Sequence, residues 1–343
     1  MEPRKLPYNK NMLPKYAVNF LNYLPAMRGA SRNTLIGYAS DLMLFFKYIK
    51  IDRGLVDPLV DFIDIDISDI DNALLSSITE EDLMGFINWT IIERNNTEKT
   101  RARKVACLKS FFRYLHKKAK IIETNPAIEL ETPKIGKRKP IFLTFEESIK
   151  LLESVNSRNA VRDQCIITLF LNCGLRLSEL CGINLMDIRG DTLSVIGKGN
   201  KQRIIPLNDA CLEVLDKYLK IRDKMIEHAE TVENKTLGSD AKKALFLSER
   251  KKRISKRTIQ VLVEKYIKEA GLYGRKYSVH KLRHTAATLS YRGGADILSI
   301  QQLLGHESVS TTQIYVHLVD DALRTAVSAN PLSKRKGEEQ RSS

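Results

Sequence analysis

SVHKLRHTAATLSYRGGADILSIQQLLGHESVSTTQIYVH, residues 278–317, holds four of the six histidines of the chain. Ser278 is placed to cap a helix that carries His280 and Arg283, three residues apart and therefore on one side of it. Gly293-Gly294 ends that helix, and Asp296 caps a second one that runs to Leu304. Gly305 and His306 follow, and Tyr315 comes nine residues after His306. A further helix is expected from Thr311 to Val327, with Leu318, Leu323 and Val327 on its apolar side. Helix follows helix with no strand-length run between them, so the fold around this stretch is mainly α.

Upstream, the same reading continues. Thr144-Phe145-Glu146-Glu147 is a capping box that opens a helix. Asp163 to Leu171 is an apolar helical run, Gly174 ends it, and Arg176 stands at the start of the next helix. Residues 191–207, DTLSVIGKGNKQRIIPL, are two short β-branched runs around a Gly-Lys-Gly-Asn-Lys turn, which predicts a hairpin with Lys198 in its turn. Helices are expected over 209–226 and 255–270, the second ended by Gly271. A loop is expected over 229–243 and one more strand over Ala244–Leu247. The small sheet is therefore antiparallel and sits inside a helical unit.

The N-terminal third reads as three helices. One is capped by Ser31 and carries Leu35, Tyr38, Leu42, Phe45, Phe46 and Ile49 at three- and four-residue steps. The second is capped by Thr79, with Leu83, Phe86, Ile87 and Ile91 on one face. The third spans Thr97–Leu115 with Val105, Leu108, Phe111, Phe112 and Leu115 apolar. Its polar face is almost wholly cationic: Lys99, Arg101, Arg103, Lys104, Lys109 and Arg113. Between the first two lies an acidic stretch, residues 52–71, with seven aspartates. It is expected to form a loop or short edge element that points away from any polyanion or toward another protein. After Asn125-Pro126 the run ETPKIGKRKP holds two prolines, a glycine and four cations and reads as a linker. The expected division is residues 1–125, a basic linker at 126–139, a larger unit at 140–330, and a polar tail at 331–343 that is expected to be disordered.

A chain of 343 residues with a formal charge of +15 favours a polyanionic partner. No apolar run has membrane-spanning length, and the N-terminal MEPRKLPYNKNMLPKY has no apolar core of a secretory signal. The five cysteines, an odd number without a C-x-x-C pair, predict buried thiols in a reducing compartment rather than disulfides or a zinc site. The expectation is a cytoplasmic nucleic-acid protein.

A phosphodiester transfer without a metal needs fixed guanidinium groups around the nonbridging oxygens, a nucleophile, and an acid for the leaving 5′ oxygen. Arg176, Arg283 and Tyr315 fit the first two needs, and Lys198, His280 and His306 are available as proton handlers and donors. Lys201 and Arg203 compete with Lys198 for its role. Each residue alone has a plain structural reading: a salt-bridged arginine, a turn lysine, a core tyrosine. Gly197-Lys198-Gly199 lacks P-loop spacing. His280 and His284 imitate a metal pair, but Lys281 and Arg283 beside them oppose a metal, and His284 is expected to pack into the core. Tyr291 sits too close to Arg283, before the glycine break, to serve as the nucleophile.

Taken together, Gly174–Leu180, Gly197–Lys201, His280–His284, Leu304-Gly305-His306 and Tyr315 resemble the tyrosine recombinase (phage integrase) family, and within it the Xer-type recombinases of bacteria. The likeness covers about 140–330 and extends more loosely to SRNTLIGYASDL and KVACLKSFFRYL, which look like the family's core-binding domain. It implies a two-domain clamp on duplex DNA, with a helical core-binding domain and a mostly helical catalytic domain. It also implies a 3′-phosphotyrosyl link on Tyr315, Arg176 and Arg283 on the scissile phosphate, Lys198 as general acid, His280 as acid/base, and His306 donating to the phosphate. Arg101, Arg103, Lys104, Lys109, Arg113, Lys201 and Arg203 are expected to contact DNA. No metal and no cofactor are implied. Four protomers, identical or paired with a paralogue, would act on two copies of a specific recombination site, and residues after about 320 would pass to a neighbour. Chromosome dimer resolution at cell division is the expected role. An integrase or excisionase of a mobile element would share the chemistry, and would often carry an arm-binding domain for which there is no room before residue 14. A type IB topoisomerase-like activity and a non-catalytic DNA-binding protein are the further alternatives. The acidic stretch and the 229–243 region are longer than is usual for an Xer protein.

Overall fold

The computed structural model describes residues 8–134, 136, 141–197, 201–233, 236–274 and 277–305. Lys198, His306, Tyr315, the helix expected over Thr311–Val327 and the polar tail lie outside the described residues. The chain separates into two compact units, Met1–Lys137 and Arg138–Ser343. The architecture is mainly helical with one small antiparallel sheet, as the sequence reading expects.

In the first unit, α1 (Lys15–Arg28), α2 (Arg32–Asp52), the short α3 (Asn72–Ser76), α4 (Glu80–Ile92) and α5 (Glu98–Tyr114) enclose an aromatic core. Two of the caps in this unit, Ser31 and Thr79, are those the sequence predicts, and Thr97 supplies a third. Ser31 accepts from the Thr34 N–H, Thr97 from the Thr100 N–H, and Thr79 forms a reciprocal capping box with Asp82. Phe20, Phe45, Phe46, Phe86, Phe111 and Phe112 are fully buried and meet mainly edge to face. Each such ring contributes about 1.5–3 kcal/mol by leaving water. Ile91 departs from its expected face and is exposed, because the apolar stripe of α4 turns inward at Thr90 instead.

The acidic stretch is not a free insert. Ile65, Ile67 and Ile70 are buried, so the loop lines the core. Its polar groups answer the cations of α2: Lys50 bonds Asp69 and the Asp66 carbonyl, and Lys47 bonds the carbonyls of Phe62 and Ile63. A second correction falls on α5. Lys104, expected on the solvated face, is buried against Asp41 at 2.8 Å, and Arg103 joins the same carboxylate and the Gly37 carbonyl. The buried Asp41 draws Lys104 inward and anchors Arg103, whose side chain stays 43% exposed, because an unpaired carboxylate there would be costly.

The second unit is built on α7 (Ala160–Cys173), whose residues 165–171 are all buried. Around it stand α6 (Phe145–Glu153), α8 (Leu177–Gly182), α9 (Asp209–Thr231), α10 (Ser239–Lys243), α11 (Lys256–Glu269), α12 (Val279–Arg292) and α13 (Ile297–Leu304). The sheet has the order β1 (Ile188–Arg189), β2 (Thr192–Ile196), β3 (Gln202–Pro206), antiparallel throughout. All five cysteines are buried.

Two local expectations are corrected. The 229–243 region is partly helical: α9 continues to Thr231 and α10 follows. Residues 244–247 are not a strand. They bridge once to Asn184 and, through Leu247, once to Arg253, so no ladder forms, although all four are buried. Arg222 explains both. It is 2% exposed and donates to the carbonyls of Ala241, Lys242, Ala244 and Leu245, gathering the end of α10 and the segment after it onto α9. Arg222→Met leaves the buried Ala241 and Ala244 carbonyls without this donor, while Leu245 keeps the Tyr218 hydroxyl, and is expected to cost about 2–3 kcal/mol, read as a lower urea midpoint. Among the described residues no helix is long and apolar enough to cross a membrane.

Candidate active site

The site begins at Gly174. Its φ of +58° ends α7 in the left-handed region, and a Cβ there would stand 2.7 Å from Leu304 Cδ2. Only glycine meets both conditions without strain. Two residues later Arg176 holds the N-cap position of α8 in extended backbone, so its side chain leaves at the mouth of the helix.

Glu179, three residues on, is the centre of the cluster. Its side chain is 1% exposed. It accepts from the Arg176 backbone N–H at 2.7 Å and from Arg176 Nη1 at 2.7 Å. Arg203 of β3 adds a fork, Nη1 to one carboxylate oxygen at 2.8 Å and Nη2 to the other at 2.9 Å. Arg283 of α12 lies 3.9 Å away. Burial by itself would raise the Glu179 pKa. The bonds from Arg203 and from Arg176 outweigh it and hold the carboxyl down at about 2.

Each of the three guanidinium groups also takes one carbonyl at the end of α13. Arg203 Nε donates to Leu303 at 2.9 Å, Arg283 Nη2 to Leu304, and Arg176 Nη2 to Gly305 at 3.0 Å. These are carbonyls a helix C-terminus leaves unpaired. Arg283 donates further to the Gly174 carbonyl at 2.6 Å. One carboxylate and three consecutive carbonyls thus fix three arginines from three separate parts of the chain.

The sequence places Arg176 and Arg283 in one site, and the fold brings them together. His280, one turn before Arg283 on α12, is exposed, whereas Arg283 is buried. His284 is half-buried, and burial, followed by Lys281, His280 and Arg283, lowers its pKa to about 4, so it is neutral near pH 7. Gly197 closes its turn by donating to the Lys201 carbonyl at 2.8 Å. A Cβ on it would stand 3.5 Å from Arg176 Nη1, so the residue preceding Lys198 borders the cluster. Lys201 is exposed.

Arg203 requires correction. The sequence reading expects it to face DNA with Lys201, but it points inward, its side chain 13% exposed. The signal is present in the alternation of the hairpin. Val195 pairs with Arg203 and Leu193 with Ile205, and Leu193, Val195 and Ile205 are all buried. Arg203 lies two residues from Ile205 and so shares that face. The role of Glu179 also escapes sequence reasoning, because a carboxylate next to a candidate phosphate site reads locally as the third residue of a capping box, which it also is.

Fold and site together define a helical unit with a small antiparallel sheet in which three guanidinium groups are preorganised around one buried carboxylate. Comparison with known proteins narrows this. The phage integrase family matches residues 141–321. A tyrosine recombinase XerC of Caldanaerobacter subterraneus subsp. tengcongensis is 53% identical, over 94% of this chain and 88% of the relative. A tyrosine recombinase XerC of Thermodesulfovibrio yellowstonii is 37% identical, over 93% and 97%. The crystal structure of the XerH site-specific recombinase bound to its difH substrate shares the fold, with a TM-score of 0.62 at 24% identity over 91% of this chain and 84% of that one. The chain belongs to the tyrosine recombinase (phage integrase) family and is an enzyme, a site-specific DNA recombinase of the Xer type.

Proposed function

We propose that this chain cuts and rejoins duplex DNA at a specific site through a 3′-phosphotyrosyl intermediate, acting in the cytoplasm in chromosome dimer resolution at cell division. The hydroxyl oxygen of Tyr315 attacks phosphorus as its proton passes to His280, the base of this step. The P–O bond to tyrosine forms as the P–O5′ bond breaks, and Lys198 delivers a proton to the leaving oxygen. Arg176 and Arg283 hold the nonbridging oxygens, His280 assists as acid/base, and His306 donates to the phosphate. The 5′-hydroxyl of a partner strand then reverses the step, so resealing needs no nucleotide.

The observation that carries this reading is the convergence of Arg176 and Arg283 on Glu179. It supplies fixed, partly desolvated positive charge where a phosphoryl transition state gathers negative charge. The similarity to two XerC recombinases supports the Xer assignment, and the XerH structure, solved on its difH substrate, supports a DNA partner. Residues 1–125 act as the core-binding domain, 126–139 as linker and 140–330 as the catalytic domain. Within the first, Arg101, Lys109 and Arg113 contact phosphates, with Lys201 from the hairpin. Four protomers, of this chain alone or with a paralogue, assemble on two sites; a solved integrase tetramer on a Holliday junction has this fold.

The test is to denature the protein while it works on fragmented chromosomal DNA, recover the covalent adduct, and sequence both parts. A phosphopeptide containing Tyr315 and a single DNA site near the replication terminus are expected. An adduct on Tyr291, or none on any DNA, defeats the mechanism. A site at the end of a mobile element replaces dimer resolution by integration.

A further inference from the structure

Arg203 is the one guanidinium of the cluster to which the reaction above gives no task. It is also the most fully bound to Glu179: both terminal nitrogens meet the two carboxylate oxygens, and Nε takes the Leu303 carbonyl. With its side chain 13% exposed, it is directed at the protein rather than at a ligand. Gly305 packs on it. A Cβ at 305 would stand 3.1 Å from Arg203 Cδ and 3.1 Å from Nη1, and its φ is +61°.

We propose that Arg203 is a positioning residue of this active site: it neutralises Glu179 and clamps it to the end of α13, leaving Arg176 and Arg283 charged and correctly placed for the scissile phosphate. This rests on the recombinase reading above.

Charge is the first part of the argument. Three guanidinium groups against one carboxylate leave two positive charges. A phosphodiester carries one negative charge, and its transition state concentrates more on the equatorial oxygens. Without Arg203 the cluster keeps a single net positive charge, and the buried Glu179 then competes with the phosphate for Arg176. Geometry is the second part. A fork–fork pair fixes the plane of the carboxylate, and that carboxylate orients Arg176 through its backbone and its side chain. Arg203 also ties β3 to the carbonyl end of α13.

The experiment uses the full chain and a nicked duplex carrying the DNA sequence recovered with the wild-type protein. Single-turnover cleavage and DNA Kd are measured for Arg203→Met, Arg203→Lys and the double variant Arg203→Met with Glu179→Gln. Arg203→Met is expected to cleave about 10- to 100-fold more slowly, the range seen when a supporting residue is lost, with Kd unchanged. Arg203→Lys keeps the charge without the fork and is expected to recover only part of the rate. The double variant removes the buried unpaired carboxylate and is expected to cleave faster than Arg203→Met, the rescue that a merely structural role would not give. It also supplies the rate comparison with wild type if Arg203→Met does not fold. Wild-type cleavage by Arg203→Met, equal losses of rate and affinity, or a double variant no faster than the single one overturns the proposal. A wild-type chain that cleaves no duplex overturns the recombinase mechanism instead.

Discussion

Arg176→Ala is expected to slow single-turnover DNA cleavage by about 10²- to 10³-fold, the loss typical of removing one preorganised donor at developing charge. The DNA Kd should change little, because the duplex keeps its other phosphate contacts. The structure explains why the effect falls on chemistry. Arg176 is the most exposed of the three clustered arginines, with 27% of its side chain open, yet its guanidinium is held by Glu179 on one side and by the Gly305 carbonyl on another. A phosphate bound there would meet a guanidinium that is already ordered. Arg176→Lys should fail to restore the rate, because an ammonium cannot satisfy Glu179, a carbonyl and a phosphate in one plane. Equal losses of cleavage and of binding would reduce Arg176 to an ordinary backbone contact.

Glu179→Ala is expected to destabilise the fold by about 3–5 kcal/mol, the range for breaking a buried ion pair by removing one partner. Arg203 and Arg283 are almost wholly enclosed, and without the carboxylate they repel each other where water cannot compensate. The helix end that they cap should loosen too, since its carbonyls depend on the same nitrogens. Urea unfolding of wild type and variant gives the number directly. Its pH dependence is also set. The Glu179 carboxyl titrates near 2 in the folded chain against an ordinary value of 4.5. A depressed pKa gives stability that is complete above the unfolded value and is lost as pH falls through the folded one. The stability gap between wild type and Glu179→Gln should therefore be constant above pH 4.5 and close between 4.5 and 2. A gap that closes near neutral pH would mean that the carboxylate is not held as the structure shows.

How much of this is legible in the chain depends on the distance over which each interaction acts. Helix caps are readable because a side chain bonds a backbone group three residues away, and Ser31, Thr79, Thr144 and Asp296 cap as expected, whereas Ser278 takes the N-cap position of α12 without a side-chain cap bond. The hairpin follows from two β-branched runs around a glycine turn. By contrast, the region after α9 is misleading along the chain. Its order comes from Arg222, some twenty residues away, and no local pattern records that a buried arginine will supply the donors. The cationic face of α5 misleads for the same reason: Lys104 and Arg103 meet Asp41 about sixty residues earlier.

The sequence by itself determined the helical class, most of the caps and the hairpin, because spacing and residue type already carry those facts, and it paired Arg176 with Arg283, which the fold brings to one carboxylate. Only the tertiary structure decided how far each cation is taken up by the protein itself. Arg203 and Lys104 look like Arg176 and Lys109 along the chain. What separates them is how far packing encloses them: Arg203 and Lys104 keep 13% and 5% of their side chains exposed, while Arg176, which shares Glu179, keeps 27% and Lys109 is half-buried, and that is settled by packing between elements that local sequence does not relate.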